Sequence, residues 1–247
     1  MSGHSKWATI KRAKAKTDAS RGKAFSKISR EITTAAKQGG DPDSNAKLRL
    51  LIDKARAANM PNDNVKRAIA KGVGGGQDAN LEELTYEGYG PSGVAIIVEA
   101  VTDNKGRTLP EVRNIFSKLG GNLGANGSVN WMFKKKGVIS FDLTQVSEDA
   151  VSEKAIEAGA EDLQSEGGSL YIYTRPEEFE KVLNALKAEK YEPLSAEISM
   201  EPSTTVKLEG EDAQKALRLV GALEDLDDVT NVYANFDISD EIINNQA

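Results

Sequence analysis

The stretch GVISFDLTQVSEDAVSEKAIEAGAEDLQSEGGSLYIYTRPEEFEKVLNALKAEKYEPLSAEISM, residues 137–200, decides the fold. Gly137 to Leu143 reads as a strand and Glu148 to Ala158 as a helix. Glu161 to Glu166 and Ser169 to Thr174 form a hairpin around Gly167-Gly168, and Pro176 to Lys190 is a second helix. Leu194 to Met200 closes the unit as a strand. The order is βαββαβ, that of a ferredoxin-like plait. Upstream, Leu84 to Tyr89 and Gly93 to Thr102 are strands separated by the Gly90-Pro91-Ser92 turn. Arg107 to Leu119 is a helix with Val112, Phe116 and Leu119 on one side, and Ser128 to Phe133 is a further strand. That unit lacks a helix and a strand, and both lie beyond residue 200, at Glu211 to Leu226 and Val229 to Asp237. One plait is therefore expected to be inserted in another α/β unit, with Lys134 to Lys136 and Glu201 to Thr205 as the two crossings.

Toward the N-terminus the period becomes helical. Phe25, Ile28, Ile32, Ala35 and Ala36 share one face of a helix over 18–38, with Lys23, Lys27, Arg30 and Lys37 opposite. Ser44 is placed to cap a second helix whose inner face is Leu48, Leu51, Ile52 and Ala55. A third starts at about Asp63, turns Val65, Ala68 and Ile69 inward and Lys66, Arg67 and Lys71 outward, and is closed by Gly72. Gly72, Gly74, Gly75 and Gly76 read as a linker. The predicted class is α+β: a basic three-helix domain with an N-terminal arm over residues 1–78, an α/β domain over 79–134 plus 204–247, and an inserted ferredoxin-like domain over 135–203.

Composition narrows the chemistry. The 247 residues contain no Cys and one His, so thiolate zinc sites, iron–sulfur clusters and cysteine nucleophiles are excluded, and His4 alone could serve a triad. No run approaches the ~18 apolar residues of a spanning helix. The basic segment Met1 to Lys16 has no apolar h-region, which excludes a secretory signal and leaves a transit peptide as the lesser alternative. Charge is segregated. Residues 1–75 hold 17 Lys plus Arg against 6 Asp plus Glu, and the remainder holds 15 against 32. In residues 1–30 nine basic residues face only Asp18. A basic head on an acidic body predicts polyanion binding, the competing account being that the two parts dock on each other.

Several motifs are weaker. The run Gly120-Gly121-Asn122-Leu123-Gly124-Ala125-Asn126-Gly127 follows a helix and precedes a strand, the reverse of a phosphate loop, and reads as a turn using glycines at positive φ. Glu224, Asp225, Asp227 and Asp228 lack the spacing of a calcium loop and read as a solvated turn. Lys136 to Phe141 begins like an RNA-recognition strand but carries aliphatics where that pattern has aromatics. The helices around Met60-Pro61-Asn62 resemble a helix-turn-helix, with Asn64, Lys66, Arg67 and Lys71 offered to a groove, but read better as ordinary bundle architecture. The strongest signal is the arm: His4, Lys6, Trp7, Lys11, Arg12, Lys14, Lys16, Arg21 and Lys23 combine phosphate-seeking cations with one aromatic that either stacks on an unpaired base or packs on the bundle.

Met1-Ser2-Gly3-His4-Ser5-Lys6-Trp7, Arg21-Gly22-Lys23, Ala58-Asn59-Met60-Pro61, Tyr86-Glu87-Gly88-Tyr89-Gly90-Pro91, Thr102-Asp103-Asn104, Phe116-Ser117-Lys118 and Gly120-Gly121-Asn122-Leu123-Gly124 resemble the signature blocks of the YebC/PmpR family. The resemblance runs end to end. It implies a helical domain followed by two α/β domains and a cytoplasmic transcriptional regulator that binds DNA. It also implies kinship with mitochondrial translational activators and with bacterial proteins linked to ribosomes stalled on proline-rich nascent chains. It brings no catalytic residues. The chain departs from the family at Lys11-Arg12-Ala13-Lys14, where Lys-His-Arg-Lys is common, and at Asn130-Trp131, where a small residue and Tyr are usual.

The expectation is a non-enzymatic regulator, without cofactor, metal, membrane or small-molecule substrate, that grips promoter DNA through the arm residues above together with Lys27, Arg30, Lys37, Lys66, Arg67 and Lys71. The alternative is a translation factor that engages ribosomal RNA with the same cations and relieves stalls on proline-rich nascent chains.

Overall fold

The computed structural model describes residues 18–74, 80–239 and 242, with side chains from residue 21 onward. The first three helices are α1 (Asp18–Ala36), α2 (Ala46–Ala57) and α3 (Asn62–Gly74). Ile28, Ile32, Ala35, Leu48, Leu51, Ala55, Val65 and Ala68 meet in their core. The cap of α2 is Asn45, not Ser44: its side chain accepts from the Leu48 N–H at 3.0 Å and donates to the carbonyls of Ala35 and Gly39 at 2.9 and 2.8 Å. An amide can donate and accept at once, so one side chain starts α2 and satisfies the end of α1, whereas the Ser44 hydroxyl reaches only the Asp41 carbonyl at 3.2 Å. Gly72 does not close α3, which continues to Gly74. A Cβ at Gly72 would lie 2.3 Å from the Thr33 carbonyl oxygen and 2.7 Å from the Ala36 Cβ, so the glycine permits α3 to cross α1 closely.

Next come β1 (Glu82–Tyr89), β2 (Ala95–Thr102), α4 (Lys105–Lys118) and the two-residue β3 (Asn122–Leu123). Then β4 (Phe133–Asp142), α5 (Glu148–Ala158), β5 (Asp162–Glu166), β6 (Ser169–Thr174), α6 (Phe179–Ala188) and β7 (Ser195–Pro202) complete the βαββαβ unit. The chain ends in β8 (Val206–Lys207), α7 (Gly210–Glu224), β9 (Val229–Ala234) and β10 (Phe236–Asp237).

One sheet has the order β3-β1-β2-β9 and the other β5-β6-β4-β7, all pairs antiparallel, while β8 and β10 form a parallel pair. The first sheet joins strands from both sides of the inserted unit and packs Val94, Ile96, Val98 and Val232 against Val112, Phe116, Leu217 and Val220. The second packs Ile139, Phe141, Leu170 and Ile172 against Val151, Phe179, Val182 and Leu186. The architecture is α+β, helical first and then two α/β units with antiparallel sheets, one inserted in the other.

Two local expectations are corrected. Ser128 to Phe133 is not the fourth strand of the first sheet: Asn130–Met132 is a 3-10 turn, and β3 supplies the edge beside β1. Lys134 to Lys136 is not a loop crossing. These lysines pair with Glu201, Met200 and Ser199 of β7, so the two chain passages between units form one antiparallel ribbon. Hydrogen bonding across the ribbon satisfies backbone that a polar sequence alone assigns to a loop.

Candidate nucleic-acid interface

The predicted cations separate into three groups. His4, Lys6, Trp7, Lys11, Arg12, Lys14 and Lys16 lie outside the described residues. Arg21 is exposed on the first turn of α1, and Lys66, Arg67 and Lys71 are exposed on α3. Arg67 lies along its own helix, donating to the Asp63 carbonyl at 3.3 Å and to the Asn64 side chain, while Lys66 has no ion pair among the described residues.

The third group faces protein. Lys23 Nζ donates to the Asp225 carbonyl at 3.5 Å, Lys27 to the Glu224 carbonyl, and Arg30 to the Asp227 carbonyl and, at 2.9 Å, to Asp228 Oδ1. Lys37 reaches the Leu81 carbonyl at 2.7 Å. Lys23 and Lys27 thus sit on carbonyls at the C-terminal end of α7, where the helix dipole is negative and the last carbonyls lack helical partners, and Arg30 reaches a carbonyl of the turn that follows. The basic head docks on the acidic body through this face, and a second contact joins Arg49 to Glu180 of α6 at 2.7 Å.

Asp228 anchors that contact, and it is not part of a solvated turn: its side chain is 3% exposed. Arg107 donates to its Oδ1 and Oδ2 at 3.0 and 2.7 Å, Arg30 to Oδ1, and the hydroxyls of Thr102 and Thr108 to Oδ2 at 3.0 and 2.8 Å. Burial pushes this carboxyl up. Hydrogen bonds from Arg107, Thr108 and Thr102 and the charge of Arg107 outweigh burial and hold it below the ordinary carboxylate range. The same pairing raises Arg107. An open cleft of about 520 Å³ beside it is lined by Lys23, Arg30 and Arg107 but equally by Glu111, Asp225, Asp227 and Asp228, a balance that does not favour an anion. Among the described residues no group of three His, Cys, Asp or Glu side chains is placed to hold a metal ion, and no helix is long and apolar enough to cross a membrane.

A second carboxylate organises the glycine-rich turn. Glu87, 6% exposed, accepts from the backbone N–H of Gly127 at 2.7 Å and of Val129 and Asn130 at 2.8 Å. Burial raises this carboxyl, and the three amides outweigh it and lower it. The turn therefore spends its amides on the protein's own carboxylate. Gly120 and Gly127 adopt positive φ, 80° and 84°, and Gly121 lies where a Cβ would meet the Tyr89 carbonyl at 2.7 Å. Directly after it, Trp131 is 71% exposed, its indole N–H donating to the Ser128 carbonyl at 3.0 Å. Asp228, Glu87 and the exposure of Trp131 were not predicted from sequence.

These elements define a class: a basic helical domain clamped on an acidic pair of α/β units with antiparallel sheets. Family models match it along the chain. The TACO1/YebC protein N-terminal domain covers residues 5–75 and the TACO1/YebC second and third domain covers residues 81–236. The chain belongs to the TACO1/YebC family. It is 54% identical over 244 residues to a "Probable transcriptional regulatory protein" of Treponema pallidum (strain Nichols), covering 98% of this chain and 100% of that one. It is 54% identical over 248 residues to a protein of the same name from Natranaerobius thermophilus, covering 98% and 99%. The crystal structure of a conserved hypothetical protein from Aquifex aeolicus superposes with a TM-score of 0.85 at 48% identity, covering 93% of this chain and 95% of that chain.

Proposed function

We propose that this protein is a non-enzymatic, cytoplasmic regulator of gene expression that binds DNA through its N-terminal arm and the outward face of α3. The arm residues His4, Lys6, Trp7, Lys11, Arg12, Lys14, Lys16 and Arg21, with Lys66, Arg67 and Lys71, make the contacts. Lys23, Lys27, Arg30 and Lys37 hold the head on the body. The observation that carries this reading is the division of cations: those on the inner face of α1 are bound to the α7 turn, and those on α3 face solvent. The printed names of the relatives support a regulatory role. Gel shifts across a salt series test it. Each duplex phosphate neutralised contributes about −0.9 to the slope of log affinity on log salt, so the triple variant Lys66→Ala, Arg67→Ala, Lys71→Ala flattens the slope by up to about 2.7. An unchanged slope overturns the assignment of α3.

A ribosomal RNA target is the second reading. The acidic body, 15 basic against 32 acidic residues beyond residue 75, is ill suited to lie along a duplex, which favours it. Deleting residues 1–23 then abolishes co-sedimentation with ribosomes, and equal affinity for random and promoter duplexes accompanies that loss.

A further inference from the structure

We infer that Trp131, with Lys134 and Lys135, forms a second contact site, one that stacks an unpaired base of a single-stranded nucleic acid at the junction of the two α/β units. The inference rests on the nucleic-acid reading above but uses none of the same residues. A tryptophan 71% exposed is the most solvent-facing large apolar side chain among the described residues. It is held rather than loose. Its indole N–H is bound to the Ser128 carbonyl, the same oxygen accepts from the Tyr89 hydroxyl at 2.9 Å, and Glu87 fixes the Gly127, Val129 and Asn130 amides beneath it. With its one polar atom bound inward, the ring offers outward only its π surface, a shape that accepts any base.

The flanking charge selects the partner. Lys134 and Lys135, exposed at the start of β4, take part in no ion pair among the described residues, unlike Lys47, Lys54 and Lys105. Glu201, opposite Lys134 in the ribbon, is 9% exposed and accepts from the Ser199 hydroxyl. Lys134 and Lys135 follow Trp131 by three and four residues and, as consecutive residues of β4, project to opposite faces of the ribbon, so a strand stacked on the ring has a cation for its phosphates whichever face it follows. Lysine is depleted in protein–protein interfaces, whereas a polynucleotide phosphate uses such a cation directly.

The Trp7→Phe variant leaves Trp131 as the sole tryptophan of the chain. Titrated with a 12-nucleotide oligouridylate, its emission is expected to quench saturably. The matching oligothymidylate separates RNA from DNA, and a 12-base-pair duplex should quench far less. Trp131→Ala is expected to weaken single-strand affinity about 5- to 150-fold, Trp131→Phe to retain most of it, and Lys134→Ala with Lys135→Ala to flatten the salt slope by up to about 1.4. Binding by anisotropy of labelled oligonucleotide with no quenching, or unaltered affinity in Trp131→Ala, overturns this site and leaves the arm and α3 intact as the interface. No binding of any polynucleotide at low salt overturns both readings.

Discussion

Replacing Asp228 with Asn removes one charge and one acceptor from the contact that holds head to body. Five donors converge on this carboxylate from α1, β2 and α4, counting both Arg107 nitrogens once each. An asparagine keeps one oxygen. With that oxygen toward the threonines, its NH₂ faces the guanidinium groups of Arg30 and Arg107, donor against donor. Breaking a fully buried ion pair costs about 3–5 kcal/mol, but Arg30 and Arg107 are 31% and 44% exposed and rehydrate in part. The net loss is about 2–4 kcal/mol, which in a chain of this size lowers Tm by roughly 5–15 °C. The sign of the pH dependence follows from the lowered carboxyl. Because the folded pKa lies below the unfolded value of about 3.9, the contribution is complete well above that value and is lost as pH falls through the folded one. Urea unfolding of Asp228→Asn and the parent should therefore differ most at pH 7 and converge below about pH 4. A difference under about 1 kcal/mol at pH 7, or one that stays constant down to pH 3, refutes the idea that this buried carboxylate anchors the contact.

Three further outcomes are expected. Gly72→Ala gains up to ~1 kcal/mol of helix propensity but drives a Cβ to 2.3 Å from the Thr33 carbonyl, so thermal melts should show net destabilisation of about 1–3 kcal/mol. In Glu87→Gln one of the two acceptor oxygens becomes an NH₂ facing backbone donors. About 2 kcal/mol is lost, and amide exchange should accelerate at Gly127, Val129 and Asn130 ahead of the rest of the chain. Lys23→Ala with Lys27→Ala should leave the salt slope of nucleic-acid binding within about 0.5 of the parent, because these ammonium groups already serve the α7 carbonyls; a fall near 1.8 would return them to the interface.

Periodicity carried the helical core and the βαββαβ order because both follow from which side chains must leave water: Ile28, Ile32 and Ala35 on one stripe, Ile139, Phe141, Leu170 and Ile172 on one sheet face. It failed where a partner strand or helix, not local pattern, sets the structure. Lys134 to Lys136 carry no apolar alternation, and only the register with β7 makes them strand. Gly72 looks like a stop signal until α1 is laid against it.

The charge map shows the same division between local pattern and tertiary partner. That residues 1–75 are basic and the remainder acidic is plain in composition, and both competing accounts of it, polyanion binding and mutual docking, are drawn from that one fact. A helix face opposite an apolar stripe is polar whether it meets water or another domain, so spacing cannot separate Lys27 and Arg30 from Lys66 and Arg67. Nor can it separate Asp228 from Glu224, Asp225 and Asp227. Position in the fold does. Asp228 immediately precedes β9, where its backbone carbonyl accepts from the Val101 N–H at 2.8 Å and its side chain is carried inward to Thr102 and Thr108. Arg107 pairs with it there, and Arg30 of α1 adds a second ion pair on Oδ1 that ties the head to this carboxylate. The fold itself thus accounts for part of the head's charge: the α7 turn takes up Lys23, Lys27 and Arg30, while Lys66 and Arg67 stay exposed on α3.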